Sequence, residues 1–290
     1  MIFQGNCPAL VTPFSKNNKI NFKALKNLLN EQILGNAKAI LILGTTGESS
    51  TLTEKEKVEI IKFTLKVVNG KVPVIAGAGS NNTETAIKTA QLYESLGVNA
   101  LLEISPYYNK TTQAGLYEHF SKIAKSVNIP IILYNVPSRT GLNILPETVF
   151  KLSKIYNIVG IKEASGNLNQ VSEIIKICPK DFAVYSGDDS LTLPMLCLGA
   201  SGVFSVASNL LPKEMSRLCE NFFNGDIKSS QKIHYKLFDL FNALFCEVNP
   251  IPVKTALNIM NKNAGKVRLP LINIQRKNYI KLKNILENLK

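Results

Sequence analysis

The stretch Asn157-Ile158-Val159-Gly160-Ile161-Lys162-Glu163-Ala164-Ser165-Gly166 decides how the rest of the chain is read. Ile158, Val159 and Ile161 form an apolar run too short for a helix, and Gly166 ends it, so the pattern predicts a short buried β-strand. A strand has a side-chain period of two, which puts Ile158, Gly160 and Lys162 on one face. A charged lysine on the inward face of a buried strand costs free energy, and burial favours the neutral amine. A neutral amine attacks carbonyls, the starting condition for Schiff-base chemistry. The plainer alternative is that Lys162 caps the strand and pairs with Glu163.

Seven more short apolar runs extend outward from this one, and helical patterns separate them. The predicted strands are Pro8–Val11, Ala39–Leu43, Val72–Ala76, Ala100–Ser105, Pro130–Tyr134, Ile158–Lys162, Ala183–Ser186 and Val203–Val206. Most are near-continuous Val, Ile, Leu and Ala, as expected of parallel strands covered on both faces. Phe22, Leu25, Leu28, Leu29 and Ile33 recur at helical spacing behind Asn21, a suitable N-cap. Thr53-Glu54-Lys55-Glu56 is a capping box ahead of Val58, Ile61, Leu65 and Val68. Further helices are predicted at Thr83–Leu96, Gly115–Ser126, Pro146–Ile155, Leu168–Ile177, Leu191–Leu198 and Pro212–Phe223.

Eight β-α units in roughly 220 residues predict an α/β fold of the (β/α)8 TIM-barrel type rather than an open doubly wound sheet. No G-x-G-x-x-G follows the first strand, which weakens a dinucleotide-binding reading. After Gly225 the strand signals stop, and Ile227–Phe245, Pro252–Met260 and Ile274–Leu289 read as three helices. The expected organisation is a catalytic barrel over residues 1–225 and a C-terminal three-helix appendage over 226–290.

The totals narrow the class. A hydrophobic share of 45% in 290 residues is that of a globular chain with a large core. No apolar run reaches the ~18 residues of a membrane span, so no membrane association is expected. Met1-Ile2-Phe3-Gln4-Gly5 has no basic region, so no signal peptide is expected. The 5 cysteines are scattered without a C-x-x-C, which predicts reduced thiols and a cytoplasmic location. With 2 histidines, His119 and His234, and no cysteine pair, no metal site is expected. The net charge of +13 is spread through the helices and the C-terminus, without a basic run of five or an RNP-like motif. It reads as a lysine-rich solvated surface that also attracts anionic substrates, with nucleic-acid binding as the minor alternative.

Barrel active sites lie at the C-terminal ends of the strands, and those ends are polar here. The second strand ends in Gly44-Thr45-Thr46-Gly47-Glu48-Ser49, whose backbone N–H groups and hydroxyls suit a small carboxylate. The fourth ends in Ser105-Pro106-Tyr107-Tyr108-Asn109. The fifth ends in Tyr134-Asn135-Val136-Pro137-Ser138-Arg139-Thr140-Gly141. Tyr134 shares a face with Ile132, and Arg139 stands on a loop where it could grip a carboxylate in a bidentate manner. The sixth ends on Lys162, and the seventh in Ser186-Gly187-Asp188-Asp189, where glycine admits a ligand close to the backbone. A lysine, a phenol, a hydroxyl loop and an arginine at one barrel mouth are equipped for imine chemistry on keto acids.

At this point the sequence resembles the pyruvate-dependent class I aldolases, the family of N-acetylneuraminate lyase. The resemblance runs from Pro8-Ala9-Leu10-Val11-Thr12-Pro13-Phe14 to Arg268-Leu269-Pro270-Leu271. It is carried by Gly44–Glu48, Pro106–Asn109, Tyr134–Gly141, Gly160-Ile161-Lys162-Glu163 and Asn249-Pro250-Ile251-Pro252-Val253-Lys254, in this order. It implies that Lys162 forms a Schiff base with pyruvate and that Thr45 and Thr46 hold the pyruvate carboxylate. Tyr134, Thr45 and Tyr108 match the proton-relay positions, with Tyr108 reaching the neighbouring subunit's site. Arg139 before Thr-Gly matches the branch that binds the carboxylate of L-aspartate semialdehyde, on the diaminopimelate route to lysine. The sialic-acid branch generally lacks it. Gly187 matches a backbone contact near the substrate, and Phe204 stands where a branched aliphatic residue is common. The implied enzyme is a homo-oligomer, a dimer of dimers, with no cofactor besides Lys162.

The resemblance also marks an effector site by departure. Lysine-sensitive relatives carry histidines at the positions of Glu54 and Lys57 and a glutamate at that of Thr85. Ser50, Asn81 and Tyr107 complete the altered site. Thr85 removes a negative partner for an ammonium group, and Lys57 adds like charge, so weak or absent inhibition by lysine is expected. The runner-up reading is another aldolase of this family acting on a sugar acid. A non-catalytic basic barrel that binds nucleic acid is the alternative of a different class.

Overall fold

A computed structural model describes residues 1–289. In chain order the elements are β1 (Gly5–Pro8), α1 (Phe22–Leu34), β2 (Ile40–Ile42), α2 (Glu54–Val68), β3 (Val74–Gly77), α3 (Thr83–Leu96), β4 (Ala100–Ile104) and α4 (Gln113–Lys125). They continue with β5 (Ile131–Asn135), α5 (Pro137–Thr140), α6 (Pro146–Leu152), β6 (Ile158–Glu163), α7 (Leu168–Ile177), β7 (Ala183–Ser186), α8 (Thr192–Leu198) and β8 (Gly202–Ser205). The last four are α9 (Pro212–Phe223), α10 (Ile227–Ala243), α11 (Ile251–Ile259) and α12 (Arg276–Asn288).

The 8 strands form one sheet in the order β1-β8-β7-β6-β5-β4-β3-β2. The ladders from β3 to β8 are parallel. The two ends of that order meet in a parallel bridge between Ala9 and Leu41, with Leu10 N–H donating to Leu41 O at 2.9 Å. The architecture is a (β/α)8 barrel, with α10, α11 and α12 as its C-terminal helical extension.

Contacts divide the chain into two compact units. One comprises Met1–Gln4 with Pro73–Phe204, the other Gly5–Val72 with the described residues from Ser205 onward. In the first unit β4, β5 and β6 are buried almost without a break, as their apolar runs require. Asn82 caps α3, its side chain accepting from Thr85 N–H, and Gly97 ends that helix in the left-handed region at φ 92°. In the second unit Asn21 caps α1, and Thr53 with Glu56 forms the predicted capping box of α2. Leu25, Leu28 and Leu29 of α1 are buried, the face that its periodicity marks.

One strand lies elsewhere than its pattern predicts. The apolar run Pro8–Val11 is buried, but the first ladder is Gly5–Pro8. Beyond Pro8 each N–H finds a different acceptor: Ala9 the carbonyl of Ser205, Leu10 that of Leu41, and Val11 the side chain of Asn209. Burial continues there while regular pairing stops, and hydropathy cannot separate the two.

Candidate active site

The centre of the first unit is the pairing of β5 with β6, in which Tyr134 is the register partner of Lys162. Both side chains emerge on one face, and Lys162 Nζ sits 4.2 Å from the Tyr134 ring centroid and 5.5 Å from that of Phe204. Lys162 is 6% exposed, so its amine is nearly enclosed. No carboxylate lies within ion-pair distance of it among the described residues, which is unusual for a buried lysine. Phe204 packs edge-on against Tyr185, and Phe3 stacks on Tyr185 at 4.3 Å. The Tyr185 hydroxyl donates to Phe3 O at 2.9 Å, so this apolar cluster leaves its one polar tip satisfied. Gly187 provides the room: a Cβ there would stand 3.1 Å from Lys162 Cε and 2.7 Å from Ala164 Cβ.

The alternative in which Lys162 pairs with Glu163 is excluded. Adjacent strand residues face opposite ways. Glu163 instead accepts from Ser165 N–H at 2.7 Å, Asn135 Nδ2 at 3.0 Å and Gln170 Nε2 at 3.0 Å. Arg139 is exposed on α5, directly after β5. That short helix ends at Gly141, in the left-handed region at φ 69°. Thr140, its last residue, is buried and donates from Oγ1 to Leu142 O at 2.9 Å. Tyr107 and Tyr108 follow β4. Tyr108 is 92% exposed and holds a left-handed backbone at φ 70°, presenting its ring to the outside.

In the second unit Thr45 and Thr46 form a 3₁₀ turn after β2. Four bonds fix that turn. Thr12 Oγ1 donates to Gly47 O at 2.7 Å, and Asn249 Nδ2 donates to Thr46 Oγ1 at 2.9 Å. Lys254 Nζ donates to Glu48 Oε1 at 2.8 Å, and Arg268 N–H donates to Glu48 Oε2 at 2.8 Å. Leu43 and Glu48 bracket the turn in left-handed conformations at φ 56° and 55°. Such a backbone costs about 1–3 kcal/mol per residue and needs fixed surroundings to persist. The surroundings include Lys254, 1% exposed, which also donates to the carbonyls of Thr12 and Lys266 and sits 4.1 Å over the Phe14 ring. Burial pushes its amine down to about 8, against the upward pull of Glu48. Arg268 pairs with Glu56 at 2.5 Å, and its hydrogen bond holds that carboxyl down at about 2.

Glu48, Asn249, Lys254 and Arg268 stand in the motifs quoted above, yet sequence reasoning gives them no role. Their signal is a charged pair, Glu48 and Lys254, inside two otherwise apolar or small-residue motifs far apart in the chain.

The expected effector residues also fall in both units. In the second, Ser50 is exposed and Lys57 Nζ is bonded to Glu54 Oε1 at 2.7 Å. In the first, Asn81 Nδ2 donates to Tyr107 O at 3.2 Å, and exposed Thr85 gives its N–H to the Asn82 cap at 2.9 Å. Among the described residues no group of three or more His, Cys, Asp or Glu could hold a metal ion. No helix among them is long and apolar enough to cross a membrane.

The sequence profile of the dihydrodipicolinate synthetase family matches residues 2–289. The chain belongs to that family. The 4-hydroxy-tetrahydrodipicolinate synthase of Clostridium novyi is 52% identical over 287 residues, spanning 99% of this chain and 97% of the relative. The crystal structure of the Thermotoga maritima dihydrodipicolinate synthase superposes with a TM-score of 0.98 at 43% identity, covering 100% of this chain and 99% of that one. The chloride-inhibited dihydrodipicolinate synthase of Acinetobacter baumannii, complexed with pyruvate, gives 0.97 at 41% identity, with 100% and 99% coverage. Members of the dihydrodipicolinate synthetase family thus share the whole barrel and its extension with this chain.

Proposed function

We propose that this chain is a 4-hydroxy-tetrahydrodipicolinate synthase that condenses pyruvate with L-aspartate semialdehyde through an imine on Lys162. The observation that carries the reading is the enclosed Lys162 amine lying over the Tyr134 ring without a carboxylate partner. An amine held that way is free to attack a carbonyl. The attack on pyruvate C2 gives a carbinolamine, which loses water to become the imine. Loss of a methyl proton gives the enamine. Its carbon attacks the aldehyde of L-aspartate semialdehyde, and the new alkoxide takes up a proton. The amino group of that half then attacks the imine carbon, closes the ring and releases Lys162. One water leaves overall.

Tyr134, Thr45 and Tyr108 are assigned to the proton transfers, Tyr108 serving the neighbouring subunit's site. Thr45 and Thr46 are assigned to the pyruvate carboxylate, and Arg139 to the carboxylate of the aldehyde. Gly187 and Phe204 line the space around Lys162. The exposure of Tyr108 supports its role in a partner's site, within a dimer of dimers working in the cytoplasm. Lys57 already occupied by Glu54, with no acidic side chain at Thr85, supports weak or absent feedback by lysine. The test is an acceptor panel. With pyruvate present, turnover is expected with L-aspartate semialdehyde and not with sugar aldehydes such as N-acetylmannosamine. Preference for the sugar aldehyde would reassign the enzyme to another branch of its family.

A further inference from the structure

Glu163 has no part in the chemistry above, yet it is 2% exposed and meets three donors. A carboxylate can only accept, so it fixes which way the amides around it point. Asn135 turns its Nδ2 to Glu163, and the same Nδ2 reaches Asn143 Oδ1 at 2.7 Å. Asn135 Oδ1 is left to accept from Ile144 N–H at 3.0 Å. Gln170 likewise turns Nε2 to Glu163, which leaves its Oε1 to accept from Asn143 Nδ2 at 2.8 Å. Gln113 completes the set, donating from Nε2 to Asn143 O at 2.8 Å and accepting from Leu145 N–H at 3.1 Å.

The network ends on Asn143, Ile144 and Leu145, where the chain returns from the segment that carries Arg139. Strand ladders hold Tyr134 and Lys162 themselves: Lys162 pairs with Tyr134 on one side and Tyr185 on the other. The Arg139 segment has no ladder, only the four-residue helix α5. We propose that Glu163 is a positioning residue for Arg139. It sets how that arginine meets the second substrate and leaves imine formation at Lys162 unaffected. This rests on the assignment of Arg139 to the aldehyde substrate's carboxylate. A glutamine at 163 has the same shape, but its amide nitrogen must face one of three donors, a mismatch that a buried site resists.

Steady-state kinetics with each substrate varied, alongside borohydride trapping with pyruvate, tests this in Glu163→Gln, Asn143→Ala, Arg139→Ala and the double variant Glu163→Gln/Gln170→Glu. Glu163→Gln is expected to raise KM for L-aspartate semialdehyde about tenfold or more, with KM for pyruvate within about threefold and trapping at Lys162 retained. Asn143→Ala, which leaves β6 untouched, is expected to show the same split in smaller measure. The double variant moves the acceptor to position 170 opposite the new amide, at the loss of the bond that Gln170 Nε2 also gives Asn143 Oδ1 at 3.2 Å, and is expected to recover part of the affinity. Equal losses for both substrates, or no recovery in the double variant, overturn the proposal. An unchanged KM for the aldehyde in Arg139→Ala overturns the assignment of Arg139 itself. A raised KM there, with no change in Glu163→Gln and Asn143→Ala, overturns only the positioning role.

Discussion

The amine of Lys162 lies 4.2 Å from the centre of the Tyr134 ring, and the two residues are register partners on adjacent parallel strands. That pairing places a nucleophile and a phenol side by side on rigid elements, where neither needs a loop movement to find the other. Tyr134→Phe keeps the ring against the amine and deletes the hydroxyl. The expected result is a kcat lower by about a hundredfold or more, with the pyruvate adduct on Lys162 still trappable. Wild-type turnover in this variant would remove Tyr134 from the proton transfers.

The Thr45–Thr46 turn leans on a buried ion pair. Lys254→Met leaves Glu48 buried without its counter-charge, and breaking such a pair costs about 3–5 kcal/mol. Thermal unfolding at neutral pH is expected to show a clear fall in Tm. Adding Glu48→Gln to Lys254→Met is expected to restore part of it, since no lone charge then remains. A double variant no more stable than Lys254→Met contradicts this account of the turn.

Glu103 lies in β4, fully buried, and neither carboxyl oxygen has a hydrogen-bond partner. Its neighbour Ile104 pairs with Tyr134, so Glu103 faces away from the lysine. Burial pushes its carboxyl up to about 8. In the unfolded chain it titrates near 4.5, so the folded state holds a proton there that the unfolded state has released. Stability is therefore undiminished below pH ~4.5, falls as pH rises, and levels off above about 8. The slope is about 1.4 kcal/mol per pH unit at most. Glu103→Gln removes this slope, whatever constant offset it adds. Denaturant unfolding from pH 5 to 9 is expected to show the two stability profiles diverging, and parallel profiles would rule the effect out.

In a steady-state titration, sub-millimolar L-lysine is expected to leave the rate essentially unchanged. Thr85 offers no carboxylate, and Lys57 is tied to Glu54 within the first turn of α2. Strong inhibition in that range would show that the altered residues still recognise lysine.

Much of this was legible in the sequence, and the reasons differ by residue. That Lys162 and Tyr134 both point inward follows from the period of two along each strand, and the register pairs them. The helices α1, α3, α7 and α9 fall at their predicted bounds because periodicity and terminal residues agree there. The first strand was misplaced because burial at Pro8–Val11 outlasts the ladder. The role of Glu163 was hidden by adjacency: the residue next to Lys162 in sequence faces the other way, toward Asn135 and Gln170. The Asn249–Thr46 and Lys254–Glu48 bonds join residues about two hundred positions apart, and no local pattern announces such a pairing.

The proposed reaction turns on Lys162 as the nucleophile. Borohydride added with pyruvate, followed by peptide mass spectrometry, tests it most directly. Irreversible inactivation is expected, with one reduced pyruvate adduct on the peptide that contains Lys162 and none in Lys162→Arg. An adduct on another lysine, or inactivation without an adduct, would contradict it.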